Sequence, residues 1–89
     1  MLTIHKFPIP VQDEFKIEMP IDSRILTIQV QRDRVFLWAL VNDQNEKEKR
    51  YFVVRGTGHN ADGLQHADYV GTIQLDGGSL VFHIFEVKR

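Results

Sequence analysis

Apolar and polar residues alternate along most of the chain with a period of two, as in β-strands with one face in a core and one in water. The clearest run begins at Glu14 and ends at Met19, where three apolar side chains point one way and three charged side chains the other. Prolines and glycine-rich segments separate the runs, because proline lacks the donor that a sheet ladder needs. The pattern predicts short strands at Leu2–Phe7, Glu14–Met19, Ile25–Gln31, Val35–Val41, Arg50–Arg55, Tyr69–Leu75 and Leu80–Val87.

The run from Val35 to Val41 is apolar at every position, which predicts a central strand that is covered on both faces. Trp38 lies within it and is expected in the core or at a contact between subunits. As a base-stacking platform Trp38 would need basic neighbours, and neither Phe36 nor Leu40 is basic. The core predicted from this and the alternating runs comprises Leu26, Ile28, Val30, Leu37, Trp38, Ala39, Phe52, Val54, Ile73, Phe82 and Ile84.

The connections indicate antiparallel hairpins. Arg32-Asp33 is short enough for a tight turn, and the polar segment from Asn42 to Lys49 is expected to be a solvated hairpin loop. Gly77 and Gly78 supply the positive φ angles of another turn. No window shows helical periodicity. We therefore predict a single all-β domain over residues 1–89, an antiparallel sandwich or partly open barrel of six to seven short strands.

The composition restricts the partners and the cell compartment that are expected for this chain. The 89 residues carry a net charge of −1, which gives no long-range attraction to polyanions and predicts no nucleic-acid partner. There is no cysteine, and no apolar run approaches the length that crosses a bilayer. The first residues do not form a signal peptide. These features predict a cytoplasmic protein without membrane contact, and so small a domain is expected to gain stability as a homo-oligomer.

The most unusual local feature is Arg55-Gly56-Thr57-Gly58-His59, at the start of a long loop. Two glycines would let the backbone approach a ligand, and exposed N–H groups there would serve as an anion nest. Arg55 suits phosphate or carboxylate, and Thr57 and His59 add side-chain hydrogen bonds. The alternative interpretation is a strand end that turns into a loop. We treat these five residues as a ligand-binding hypothesis, and no cofactor is predicted.

Signals for catalysis and for metals are weak. His59, Asp62, His66 and Asp68 share one loop. Convergence of the four on a metal ion is one interpretation, but no two histidines have the spacing of a preformed metal site, and a solvated loop is favoured. His83 lies in the last strand and is expected to be partly buried with its hydrogen bonds satisfied. No serine lies in a nucleophile elbow. We therefore predict no metal site, no catalytic residue and no enzymatic activity.

Several ordered motifs give the chain a family resemblance. They are Phe7-Pro8, Ile17-Glu18-Met19-Pro20, Ile25 to Gln31, Leu37 to Val41, Gly56-Thr57-Gly58-His59, Tyr69 to Leu75 and Gly77 to His83. In this order they resemble a family of small uncharacterised proteins of tailed phages and prophages, over nearly the whole chain. The resemblance implies a phage context, and therefore the bacterial host cytoplasm, and carries over no catalytic residue.

Three functions remain as hypotheses. The first is a binding protein without catalytic activity that occupies a host protein, such as a defence protein. The second is a homo-oligomer that sequesters a phosphate-bearing small molecule at residues 55–59. The third is a virion or assembly accessory protein.

Overall fold

Two antiparallel sheets form the protein, and the computed structural model describes all 89 residues. The predicted all-β sandwich is confirmed, and none of its elements is a helix that could span a bilayer. Apart from a 3-10 turn at Asp76–Gly78, the regular structure consists of seven strands. They are β1 (Leu2–Pro8), β2 (Glu14–Pro20), β3 (Arg24–Gln31), β4 (Arg34–Asn42), β5 (Lys47–Gly56), β6 (Asp68–Leu75) and β7 (Leu80–Val87).

The sheets do not close into a barrel. One has the order β1-β4-β3 and the other β2-β5-β7-β6. At one side β3 lies against β6, where Gly71 leaves so little room that a Cβ atom would stand 2.8 Å from Ile28 Cγ2. The opposite side, along β1 and β2, is open. His5 there pairs with the buried Ala39 and shares its inward direction, yet it is exposed.

Tight turns connect neighbouring strands as the sequence indicates. Arg32 and Asp33 have φ angles of 53° and 64°, so the β3–β4 hairpin has two left-handed central residues, as in a type I′ turn.

Beside the β4–β5 turn, the Met1 ammonium donates to Asp43 Oδ1 at 2.8 Å. That hydrogen bond, with a second from Gln44, lowers the pKa of the Asp43 carboxyl.

The core lies between the two sheets and follows the alternation of the strands. Phe15 stacks on Phe52, with ring centroids 5.0 Å apart. Ile9, in the β1–β2 connection, closes one end of the core. Its largest fully buried side chains are Phe52, Met19, Leu37, Ile84 and Val41. Seven of the eleven predicted core residues are buried, namely Ile28, Leu37, Ala39, Phe52, Val54, Ile73 and Ile84, whereas Val30, Trp38 and Phe82 are half-buried.

Leu26 was predicted in the core, and this prediction is wrong. The β3–β4 register shifts by one residue between Ile25 and Thr27, which is a β-bulge. The bulge changes the alternation, so Ile25 packs on the core and Leu26 is 41% exposed. Ile28, beyond the bulge, is buried.

The expectation that β4 is covered on both faces is also wrong. Val35, Leu37, Ala39 and Val41 point inward and are buried. Their alternating neighbours, from Phe36 to Leu40, point away from the other sheet and are only half-buried. A continuous apolar run therefore reflects here one buried face and one apolar face that no strand covers.

A charged pair closes one end of the sandwich and was not predicted. Arg50 donates two parallel hydrogen bonds to Glu86, of 2.6 and 2.8 Å, and a third of 2.6 Å to the Ser23 carbonyl oxygen. Both side chains are less than one-fifth exposed. The Glu86 hydrogen bonds raise the pKa of the Arg50 guanidinium.

Candidate functional site

The predicted binding loop begins with a tight turn from Gly56 to His59. The His59 N–H donates to the Gly56 carbonyl oxygen at 3.0 Å, and Gly58 has a φ angle of 86°. The Thr57 N–H donates to the Val81 carbonyl oxygen at 3.2 Å. An anion nest at this turn would use the N–H groups of Thr57, Gly58 and His59. Those of Thr57 and His59 are already bonded within the protein.

The side chain of Arg55 holds the start of the loop by hydrogen bonds to backbone carbonyl groups. Its guanidinium donates to the carbonyl oxygens of Asn60, at 3.0 Å, and Val54, at 2.9 Å. The His59 ring lies over Gly56, where a Cβ atom would come within 2.9 Å of it. Arg55 and His59 thus shape the loop start, and a side chain at position 56 would displace the His59 ring from its present place.

A shallow groove runs beside these residues. Arg55, Gly56 and His59 line it together with Asp13 and Glu14, which precede or begin β2. Two carboxylates and one arginine therefore face the same space, and this mixed charge weakens the attraction of the groove for a phosphate. Of the five predicted site residues, Thr57 and Gly58 do not line the groove.

Thr57 instead joins a cluster of hydroxyl groups around His83, which we call the His83 cluster. Thr57 Oγ1 lies 2.7 Å from His83 Nε2, and Tyr69 Oη lies 2.8 Å from Nδ1. Thr72 Oγ1 is 3.2 Å from Nδ1 and also hydrogen-bonds the Tyr69 hydroxyl. His83 is half-buried with both ring nitrogens bonded, as predicted.

The His83 cluster ties the long loop to the outer face of the four-stranded sheet. Thr57 comes from the loop, Tyr69 and Thr72 from β6, and His83 from β7. Val53 points outward on this sheet, opposite Glu14 and Phe85, and is nonetheless 4% exposed. Leu64 in the loop is also buried and, like Val53, lies outside the central core cluster. The loop therefore covers part of this outer face.

The outer face of the three-stranded sheet has no such cover. Residues paired across antiparallel strands share a face, so the register places Leu2 and Ile4 beside the outward side chains of β4. Leu2 and Ile4 are 63% and 57% exposed. We call this surface the aromatic face, and its apolar members are Leu2, Ile4, Phe36, Trp38 and Leu40.

Three cations border the aromatic face. The Lys6 ammonium lies 4.4 Å from the centroid of the Phe36 ring, and the Arg34 guanidinium carbon lies 5.5 Å from it. Arg24 pairs with Leu40 at the other end. The chain forms three ion pairs, and none involves these cations. The remaining polar members of the face are Thr27, Gln29, Gln31 and Asn42, so it contains no carboxylate.

The sequence did not reveal this surface because its residues come from three separate strands. Trp38 was expected to lack basic neighbours, and its neighbours along the chain are indeed apolar. Lys6 and Arg24 reach it from β1 and β3, which flank β4 in the sheet. The sequence of β4 gives no separate signal for it, because an uninterrupted apolar run does not distinguish Phe36, Trp38 and Leu40 from the buried residues between them.

The structure contains no group of three or more His, Asp or Glu side chains placed to hold a metal ion. In the loop, the Asn60 side-chain oxygen instead accepts the Asp62 N–H at 2.7 Å, which is a local turn.

The chain belongs to a family described as a domain of unknown function, DUF7352, which matches residues 1–89. No curated protein and no solved structure gives a significant match. Membership confirms the predicted relation to an uncharacterised family.

Proposed function

We propose that this protein is a binding domain without catalytic activity, and that its aromatic face docks on an acidic surface of a partner protein. The composition of that face carries the proposal: five apolar side chains lie beside three unpaired cations, with no carboxylate among them. A contiguous exposed apolar patch with a polar rim is typical of interaction sites. Tryptophan and arginine are also the residues that most often dominate binding energy.

The details of the face favour a protein over a nucleic acid. Lys6 and Arg34 already lie over the Phe36 ring, and Phe36 and Trp38 are inclined at 59° to each other. Successive bases need freely accessible ring faces on which to stack, and this arrangement does not present them. The rest of the apolar area is aliphatic, which suits the side chains of a protein.

Charge argues against a second copy seated face to face. In a two-fold contact the same patch meets itself, so the Lys6, Arg24 and Arg34 cations of both copies would be brought together in one interface. The face holds no carboxylate to offset that repulsion, whereas an acidic partner surface neutralises all three cations.

The proposed setting follows the resemblance described above. We place the protein in a phage or prophage and its partner among the proteins of the bacterial cytoplasm, where occupation of a host defence protein would block it. A role as a virion or assembly accessory would use the same surface, and the presence of the protein in purified particles would distinguish that role.

Sequestration of a phosphate-bearing molecule at Arg55–His59 has weaker support. The Arg55 guanidinium donates to two backbone carbonyl groups, and Asp13 and Glu14 line the same groove. We therefore favour the aromatic face as the functional surface.

The proposal is tested by affinity capture from a bacterial lysate with matched charge-reversal variants. Arg24→Glu/Arg34→Glu alters the aromatic face, and Lys16→Glu/Lys49→Glu makes the same charge change on the outer face of the other sheet. We expect the first variant to lose the protein that the wild type captures, and the second to retain it. Capture should also weaken at 1 M salt, where the Debye length falls to about 3 Å.

Retention of the same partner by both folded variants would contradict the proposal. So would recovery of nucleic acid as the species that depends on Arg24 and Arg34. Circular dichroism and thermal melting of both variants establish that each is folded before capture is compared.

A further inference from the structure

The two sheets have four edge strands, and three of them carry features that prevent pairing with another chain. Unpaired edges are sites of association unless charges, bulges or neighbouring segments protect them. The edges are β1 and β3 in one sheet and β2 and β6 in the other. They differ in how well they are protected.

Three edges are protected in recognisable ways. β2 alternates its buried residues with Glu14, Lys16 and Glu18, so its outer face is fully charged. β3 and β6 each contain a bulge, which disrupts the ladder and bends the strand. These two edges also lie against each other, as the 2.8 Å approach of a Gly71 Cβ position to Ile28 shows.

β1 has none of these protections along most of its length. It pairs with β4 at every position from Leu2 to Pro8 without a register shift, so the strand is regular and its other edge is free. Lys6 is its one charged side chain within the strand, and Pro8 lacks a donor only at the end. Leu2 and Ile4 are more than half exposed.

We propose that β1 pairs with β1 of a second copy of this chain, antiparallel and about a two-fold axis at His5. This register pairs the whole strand and joins two three-stranded sheets into one of six strands. It is self-complementary, because Ile4 faces the alkyl stem of Lys6, Thr3 faces Phe7, and Leu2 faces Pro8. His5 faces its own copy at the axis, and Lys6, the one lysine of the strand, faces an apolar residue and not another lysine.

A second copy fits this edge better than an unrelated strand because β1 supplies its own complement in this register. The pairing also leaves the aromatic faces uncovered and side by side on one surface of the joined sheet. Two seven-residue edges bury less than the area of a standard stable interface. The dimer is therefore reversible, and it is populated at high micromolar concentration.

The experiment uses the absence of cysteine from the chain. His5→Cys introduces one thiol, which meets its own copy at the two-fold axis. Directly opposed residues in antiparallel strands have Cα atoms about 4.5–5.5 Å apart, within the range that a disulfide spans. Lys16→Cys, on the charged edge of the other sheet, is the matched exposed control. Both proteins carry any purification tag at the C-terminus.

Under mild oxidation we expect His5→Cys to form a covalent dimer at least tenfold faster than Lys16→Cys. Light scattering should show a wild-type dimer at high micromolar concentration. Ile4→Lys, which places two lysines opposite each other, should be a monomer there. Equal oxidation rates for the two cysteine variants, or a monomeric wild type at that concentration, would overturn the proposal. This inference does not depend on the proposed docking function, since the partner capture and the oligomeric state are measured separately.

Discussion

At the scale of single residues, the least predictable interaction is the pair of Arg50 and Glu86. Both lie in runs of mixed charge or at a strand end, where a solvated side chain is the ordinary expectation. The antiparallel pairing of β5 with β7 turns both inward at the end of the sandwich, close to Ser23. Arg50 and Glu86 are 36 residues apart in sequence, and they meet only because β5 pairs with β7. No local sequence pattern therefore predicts their contact.

Breaking this pair should destabilise the protein more than breaking any other ion pair. Glu86→Gln leaves the Arg50 charge half-desolvated and without its bidentate partner, which we expect to cost about 3 kcal/mol in the free energy of unfolding. Glu14→Gln is the control, because its pair with Arg89 is at least half exposed on both sides and exposed pairs contribute below about 1 kcal/mol. Urea denaturation measures both, and equal losses would contradict the assigned role of Arg50.

The raised pKa of Arg50 determines how the contribution of this residue to folding stability changes with pH. A folded-state pKa raised above the unfolded value stabilises the protein at every pH below the unfolded value. That contribution is lost only as the pH rises through the folded-state value, beyond ordinary alkaline conditions. Arg50 itself therefore causes no loss of stability at neutral or mildly alkaline pH.

The residues from Arg55 to His59 illustrate the limit of a local motif. Glycines beside an arginine, a threonine and a histidine describe an anion site or a tight turn equally well. The structure shows that much of their hydrogen-bonding capacity is used internally, by Asn60, Val81 and His83. Those partners come from the loop and from β7, so a motif confined to five residues does not contain them.

At the scale of elements, the strands were predictable and the bulges were not. Each predicted strand exists within two residues of its expected start, apart from β5, which begins at Lys47 and extends the hairpin into the charged segment. Alternation in sequence predicts a strand because the side-chain period is two. A bulge inserts one extra residue and shifts the alternation beyond it. Ile25 and Leu26 are both apolar, so the sequence does not show which of them faces the core.

The bulge in β3 predicts opposite outcomes for two neighbouring apolar residues. Ile28→Ala removes a side chain that is 4% exposed and should lower the free energy of unfolding by about 2–4 kcal/mol. Leu26→Ala, where the side chain is 41% exposed, should cost below about 1 kcal/mol. Thermal and urea unfolding of the two variants compare them, and similar losses would mean that Leu26 shares the core.

At the scale of the whole molecule, the fold class followed from the sequence and the candidate surface did not. Seven short runs with strand-like composition and turn residues between them leave few alternatives to an antiparallel sandwich or partly open barrel. The aromatic face depends instead on which strands become neighbours, because Lys6, Arg24 and Trp38 meet only when β1 and β3 flank β4. Strand order is a long-range property, and an apolar β4 alone predicts burial on both sides.

Site-specific photo-crosslinking on the two outer faces tests most directly whether the aromatic face binds a partner. Gln29 and Gln74 are both exposed glutamines, the first on the aromatic face and the second on the outer face of the four-stranded sheet. Each is replaced in turn by benzoylphenylalanine, and the protein is irradiated in living bacteria that express it. We expect a discrete adduct with the partner protein from position 29 and none from position 74. Adducts from position 74 alone, or from neither position when the captured partner is present, would contradict it.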